Sequence, residues 1–174
     1  MSNQIWRNSL IRFIVILLFQ IFLFKQIAFG LFGENISFVL VYPVFILMLP
    51  FGVFEPIIIL CGFAMGLATD FIYDTLGIHA AAATFTAFVR PRVFKLLSPA
   101  RGYDPKLSPV PRDMGWYWFN ICLGLILFIN LFAFFLLQTF APQFFFQILM
   151  KAIASTLVSF PFIILGIVIL NPRS

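Results

Sequence analysis

The sequence predicts an all-α, polytopic membrane protein of about six transmembrane helices, the second one short, with both termini cytoplasmic. Two observations fix the class. Of the 174 residues, 63% are hydrophobic and only 10% charged, with a mean hydropathy of +1.09. Soluble domains run near a quarter charged, so these polar groups are too few to cover a water-facing surface. The apolar residues also come in runs of about fifteen to twenty-five without the alternation of barrel strands, so in lipid the backbone must satisfy itself as helices.

The whole chain, 1–174, reads as a single integral membrane domain, and its elements follow in order. Arg7 and Arg12 precede the apolar run Phe13 to Phe24, which ends at Lys25 without a small-residue cleavage site, so a retained first helix over about 10–30 is expected rather than a signal peptide. The second run, about 36–50, holds Pro43 and stops at Pro50 and Gly52. It is short for a ~30 Å hydrocarbon core, which predicts a thin, kinked or partly re-entrant span. The third span is expected over about 57–73 and the fourth over about 78–90, where Pro91 limits continuation. Residues 90–115 are hydrophilic, basic and proline-rich, as suits a connector lying on a membrane surface. Trp116, Tyr117 and Trp118 form an interfacial aromatic cluster opening the fifth span, about 117–138, and the sixth covers about 145–170.

Orientation follows from charge. With six spans and both ends inside, Arg7, Arg12, Arg173 and the connector's Arg90, Arg92, Lys95, Arg101, Lys106 and Arg112 face the cytoplasm, leaving only Lys25 and Lys151 outside. The net charge of +5 does not imply nucleic acid, because the basic residues flank apolar spans and no soluble aromatic patch accompanies them. Cys61 and Cys122 lie within apolar runs, lack CxxC spacing and read as packing residues.

The chemistry-bearing side chains concentrate between Gly62 and Arg92. Gly62, Gly66, Asp70 and Asp74 recur at four-residue steps and form one stripe on the third helix. Ala80, Ala83 and Ala87 give the fourth helix a small-residue face, and Gly77 lies in the turn between. Two smooth faces joined by a short turn are expected to pack as a close hairpin, since lipid supplies no hydrophobic drive between helices. Asp70 falls roughly 8 Å from the bilayer midplane by helical rise. An unpaired carboxylate there costs on the order of 2.5 to 3.5 kcal/mol. Lys25 and Lys151 fall at similar depth, so the expectation is an ion pair from Asp70 to one of them. Asp74 and His79 would complete a structural polar cluster at the outer ends of the two helices. This reading is preferred over a catalytic or transport site.

No cofactor or metal site is expected, and no enzyme. Gly66-x3-Asp70-x3-Asp74 looks like half of the CDP-alcohol phosphatidyltransferase signature, but the upstream half is missing, with Phe51, Gly52, Glu55, Pro56 and Ile57 in its place. HExxH and GxSxG motifs are also missing.

The segment GLATDFIYDTLGIHAAAATFTAFVRP resembles the most recognisable part of the rod shape-determining MreD family: a glycine and aspartate on one helix, a Leu-Gly-x-His turn and an alanine-rich helix. LLSPARGYDP is similar to the cytoplasmic connector of one branch of that family. Gly66, Asp70, Gly77 and His79 match the motif. The resemblance implies a non-enzymatic inner-membrane scaffold of bacterial cell-wall elongation, needed for cell shape. Its implied partners are an MreC-like protein, the elongation glycosyltransferase and transpeptidase and, indirectly, MreB filaments. The connector's basic residues would then be a cytoplasmic contact surface, or topogenic charge drawn to anionic lipid. A second reading is the substrate-binding subunit of an energy-coupling-factor vitamin transporter, similar in size and topology, with Ala83 to Ala87 as its small-xxx-small docking face. The scarcity of polar side chains in the outer loops opposes it.

Overall fold

The computed structural model describes residues 3–20, 28–31, 34–99, 102–105 and 107–170. The chain is predominantly helical. Its order is α1 (Asn3–Phe19), the strands β1 (Ala28–Leu31) and β2 (Glu34–Phe38), α2 (Pro43–Met48), α3 (Glu55–Tyr73), α4 (Ile78–Leu96), α5 (Pro111–Met114), α6 (Trp116–Thr139), a 3-10 turn (Pro142–Phe144) and α7 (Phe145–Leu170). The two strands pair antiparallel, Ala28 opposite Phe38 and Leu31 opposite Glu34.

Among the described residues three helices are long and apolar enough to cross a membrane: α3, α6 and, over Phe145–Val168, α7. Half of the best α6 window is buried inside the protein, against 33% for α3 and 28% for α7, so α6 is the central pillar and the other two face outward. Exposed Leu60, Phe71, Leu157 and Leu165 fit that placement. Trp116 and Tyr117 are exposed at the start of α6, where an amphipathic ring serves at a lipid–water boundary.

Three expected spans take another form. The first, expected over about 10–30, is helical as α1 only to Phe19, and Ala28 to Gly30 at its expected end belong to β1; its apolar helical part, Leu10–Phe19, is shorter than a membrane-crossing helix. Residues 36–50 are not one helix: the chain is a strand to Phe38, without regular structure through Val41, and helical only over the six residues of α2. At 1.5 Å per residue α2 rises roughly 9 Å, far short of a ~30 Å core. Every residue from Val39 to Pro50 is buried, and this segment packs against α1, α3, α4 and α6. The fourth span, in turn, does not stop at Arg90. Helix α4 runs through Pro91 to Leu96, so Arg90, Arg92 and Lys95 belong to a helix and not to the connector. Within a helix proline costs one backbone hydrogen bond, which packing inside the protein makes tolerable.

What remains of the connector folds over the end of the bundle. Phe51 stacks on Tyr103 at 4.5 Å, and the Phe94 and Trp118 rings close on both edge-on or tilted. The Trp118 indole N–H donates to Leu97 O at 3.1 Å and to Tyr103 Oη at 3.2 Å, while Tyr103 Oη donates to Phe94 O at 2.9 Å. Burial raises the Tyr103 phenol above its ordinary pKa, with the indole bond acting the other way.

Candidate functional site

The site is the buried broken segment 39–49 and the polar groups that hold its two ends. Buried backbone outside a helix or sheet has no regular partner, so each peptide group must find a bond within the protein. Gln20 supplies most of them. Its Oε1 accepts from Val41 N at 2.6 Å and Tyr42 N at 3.3 Å, and its Nε2 donates to Val39 O at 3.1 Å and Tyr73 Oη at 2.8 Å. The Leu40 amide donates to Ser159 Oγ on α7 at 3.1 Å. Three consecutive peptide N–H groups are thus satisfied by two side chains from different helices.

From Tyr42 a hydrogen-bond chain crosses the core. The Tyr42 hydroxyl donates to Asn130 Oδ1 on α6 at 3.0 Å, Asn130 Nδ2 donates to Thr86 Oγ1 on α4 at 3.1 Å, and Thr86 donates to Ala82 O at 2.8 Å. His79 sits against this chain. Its ring stacks on Phe134 at 4.5 Å, meets Tyr42 edge-on and Tyr73 at a tilt, and brings Nδ1 to 3.4 Å from Tyr42 Oη. With the Tyr42 proton committed to Asn130, Nδ1 must carry a proton to contribute a bond.

The other end of the segment is held by cations. The last carbonyls of a helix are unpaired and carry its negative dipole end. Arg90 Nη2 donates to Leu47 O at 3.3 Å and also to Leu49 O, and Arg12 Nη1 reaches Met48 O at 3.5 Å. The Arg90 guanidinium also stacks on the Phe94 ring at 4.5 Å. It is 2% exposed. The sequence reading of Arg90 as a cytoplasmic contact is therefore corrected: its charge is turned inward, onto the C-terminus of α2.

Among the described residues Asp70 acts as a cap and not as an ion-pair partner. Asp70 is buried at the end of α3. Oδ1 accepts from His79 N at 3.0 Å and from the Thr75 hydroxyl, and Oδ2 accepts from Ala80 N at 2.8 Å. One carboxylate thus satisfies two of the orphan donors at the start of α4, where the positive dipole end favours it. Lys151 lies half-buried on α7 and is not among these partners, and Lys25 lies outside the described residues. Asp74 is also apart from the polar groups. It is exposed, left-handed (φ 54°), and ends α3 by donating its N–H to Asp70 O.

Helices α3 and α4 approach most closely at the glycines. A Cβ on Gly66 would stand 2.5 Å from Ala80 Cα and from His79 O, and one on Gly62 would stand 3.0 Å from Ala83 O and from the Ala87 Cβ. Ala80, Ala83 and Ala87 are buried on the facing side, and Gly77 takes φ +84° as the residue preceding α4. Of the remaining basic residues, Arg92, Lys95 and Arg112 are exposed, whereas Arg101 and Lys106 lie outside the described residues.

Gln20, Tyr42, Thr86, Asn130 and Ser159 are members of this hydrogen-bonded site that the sequence reading did not single out. The available signal was the presence of uncharged polar side chains, such as Asn130 and Gln20, inside long apolar runs, where each must find a partner. Chemically, the arrangement fixes the backbone of the segment. Among the described residues no group of three or more His, Cys, Asp and Glu side chains could hold a metal ion. Comparison of the chain with family models, curated proteins and solved structures gives no match.

Proposed function

We propose that this membrane protein is an MreD-like, non-enzymatic scaffold of the bacterial inner membrane, acting in cell-wall elongation with an MreC-like partner and the elongation synthases. One observation carries the reading: the four residues that bear the resemblance act together in one hairpin. Gly66 admits the α4 backbone, Asp70 caps α4, Gly77 makes the left-handed turn, and His79 supplies both the capped amide and a buried ring. A motif whose members jointly fix one helix pair suits a protein whose work is to present a rigid membrane surface. Asp70 and Arg90 are engaged by helix termini, and the His79 ring is packed among Tyr42, Tyr73 and Phe134, which suits a surface that makes contacts. The basic residues still exposed, Arg92, Lys95 and Arg112, then form the cytoplasmic face.

The test is a mild-detergent pull-down of the tagged chain from native membranes, with mass spectrometry of what stays bound. Recovery of an MreC-like protein together with elongation synthases is expected. Recovery of a transmembrane coupling subunit with paired ATPases would overturn the scaffold reading in favour of vitamin uptake.

A further inference from the structure

We propose that the outward groove between α3 and α4 is a binding site for one anionic phospholipid, with an acyl chain along the groove and the phosphate at Arg92 and Lys95. The groove is open to the outside along its length and offers about 650 Å³. Its floor is Gly77, Ala81 and Thr84, and its walls are the rings of Phe63, Phe85 and Phe88. From Arg92 back to Ala81 α4 spans roughly 16 Å, close to half of a ~30 Å hydrocarbon core and so to the depth of one leaflet.

The groove's chemistry favours a hydrocarbon chain over a partner helix. Helices dock in lipid through close backbone approach at small residues or through interhelical hydrogen bonds. The close-approach glycines, Gly62 and Gly66, are already filled by α4 itself. The Thr84 hydroxyl is committed to Ala80 O at 2.7 Å, and three half-exposed rings hold any second backbone away. A flexible chain fits between rings that a helix cannot pass.

Charge supplies the other half of the ligand. Ala81, Phe85, Phe88, Arg92 and Lys95 follow one another at steps of four and three, so the two exposed cations continue the groove's own face of α4. Arg92 is physically joined to the groove: its guanidinium lies 4.2 Å from the centroid of the Phe88 ring, and Nη1 donates to Phe88 O at 3.1 Å. That leaves most of its fork free, and a planar fork matches phosphate oxygens two at a time.

The full chain, purified in mild detergent, is incubated with phosphatidylglycerol or with phosphatidylcholine of the same acyl chains, and lipids that survive native mass spectrometry are counted. The wild type is expected to keep one phosphatidylglycerol at an occupancy at least five-fold above phosphatidylcholine. Arg92→Gln with Lys95→Gln should bring the two lipids level, Arg92→Lys should keep most of the preference, and Ala81→Phe, which fills the groove from an exposed position, should lower retention of both. Ala81→Leu serves the same end if the larger side chain prevents folding. Equal retention of the two lipids by the wild type, or a preference untouched by both the charge and the groove variants, overturns the site. So does an Ala81→Phe chain that keeps its lipid but loses a co-purifying membrane protein, because the groove then holds a partner helix. None of these readouts depends on the scaffold reading.

Discussion

Gly66→Ala against Gly62→Ala separates close packing from mere helicity. Both positions are inside α3, so both substitutions gain about 1 kcal/mol of helix propensity. The space differs. At Gly62 the added carbon meets Ala83 O and the Ala87 Cβ at 3.0 Å, and neighbours that move a few tenths of an ångström accommodate it. At Gly66 it meets backbone atoms of His79 and Ala80 at 2.5 Å, so reaching ordinary contact at 3.4 Å requires α4 to retreat by 0.9 Å. Retreat there also stretches the bonds from His79 N and Ala80 N to Asp70, now 3.0 and 2.8 Å, beyond useful length. Overpacking costs typically 1–3 kcal/mol, and a hydrogen bond to a charged group contributes roughly 1.5–3 kcal/mol. Counting the loss of one capping bond and after the propensity gain, Gly66→Ala is expected to destabilise by about 1.5–5 kcal/mol, while Gly62→Ala stays within about 1 kcal/mol of wild type. Reversible unfolding of the purified protein in mixed micelles, titrated with a denaturing detergent, measures both. Equal stability of the two variants would refute the reasoning, since only the contact distance and the capping bonds distinguish them.

Other substitutions probe the two ends of the broken segment. Arg90→Lys keeps the charge but not the fork that reaches both Leu47 O and Leu49 O, so a loss of about 1–3 kcal/mol is expected in the same titration. Ser159→Ala orphans the Leu40 amide at a cost of about 1–3 kcal/mol, and hydrogen exchange should rise at Leu40 more than at residues within α6. Asp74→Gly relieves a left-handed residue that makes no capping bond with its side chain, so stability should rise by up to about 1 kcal/mol. An Asp74→Gly loss as large as that from Gly66→Ala would return Asp74 to the polar cluster that the sequence suggested.

Two of the places where the sequence misleads, the 36–50 segment and Arg90, share one cause. Hydropathy reports that a segment avoids water, and inside a membrane it cannot say whether lipid or protein surrounds the segment. For α3, α6 and α7 the question does not matter, because a helix satisfies its own backbone in either setting. The glycine and alanine steps of α3 and α4 are legible for a similar reason: the packing is local, and both faces and their turn lie between Gly62 and Ala87. Residues 36–50 differ. Their apolar run is compatible with a short helix, but the irregular half is held by Gln20, just past the end of α1 and 21 residues from Val41, and by Ser159 on α7, 119 residues from Leu40. No window on the segment contains either partner.

Arg90 follows from the same fact. A cation beside a proline, ahead of a hydrophilic stretch, reads as the start of a surface loop, and a charge count assigns it to the cytoplasm. Once the second apolar segment ends as a six-residue helix inside the protein, its carbonyls need a donor at that depth, and few side chains besides arginine can reach several at once and stay protonated when buried. Arg12 and Arg90 approach those carbonyls from the beginning of the chain and from the end of α4, while Gln20 and His79 hold the opposite end of the segment. Helices α1 and α4 therefore run antiparallel, each presenting a cation at one level and a neutral polar group at the other. Without the broken segment between them, neither arginine would have reason to be turned inward.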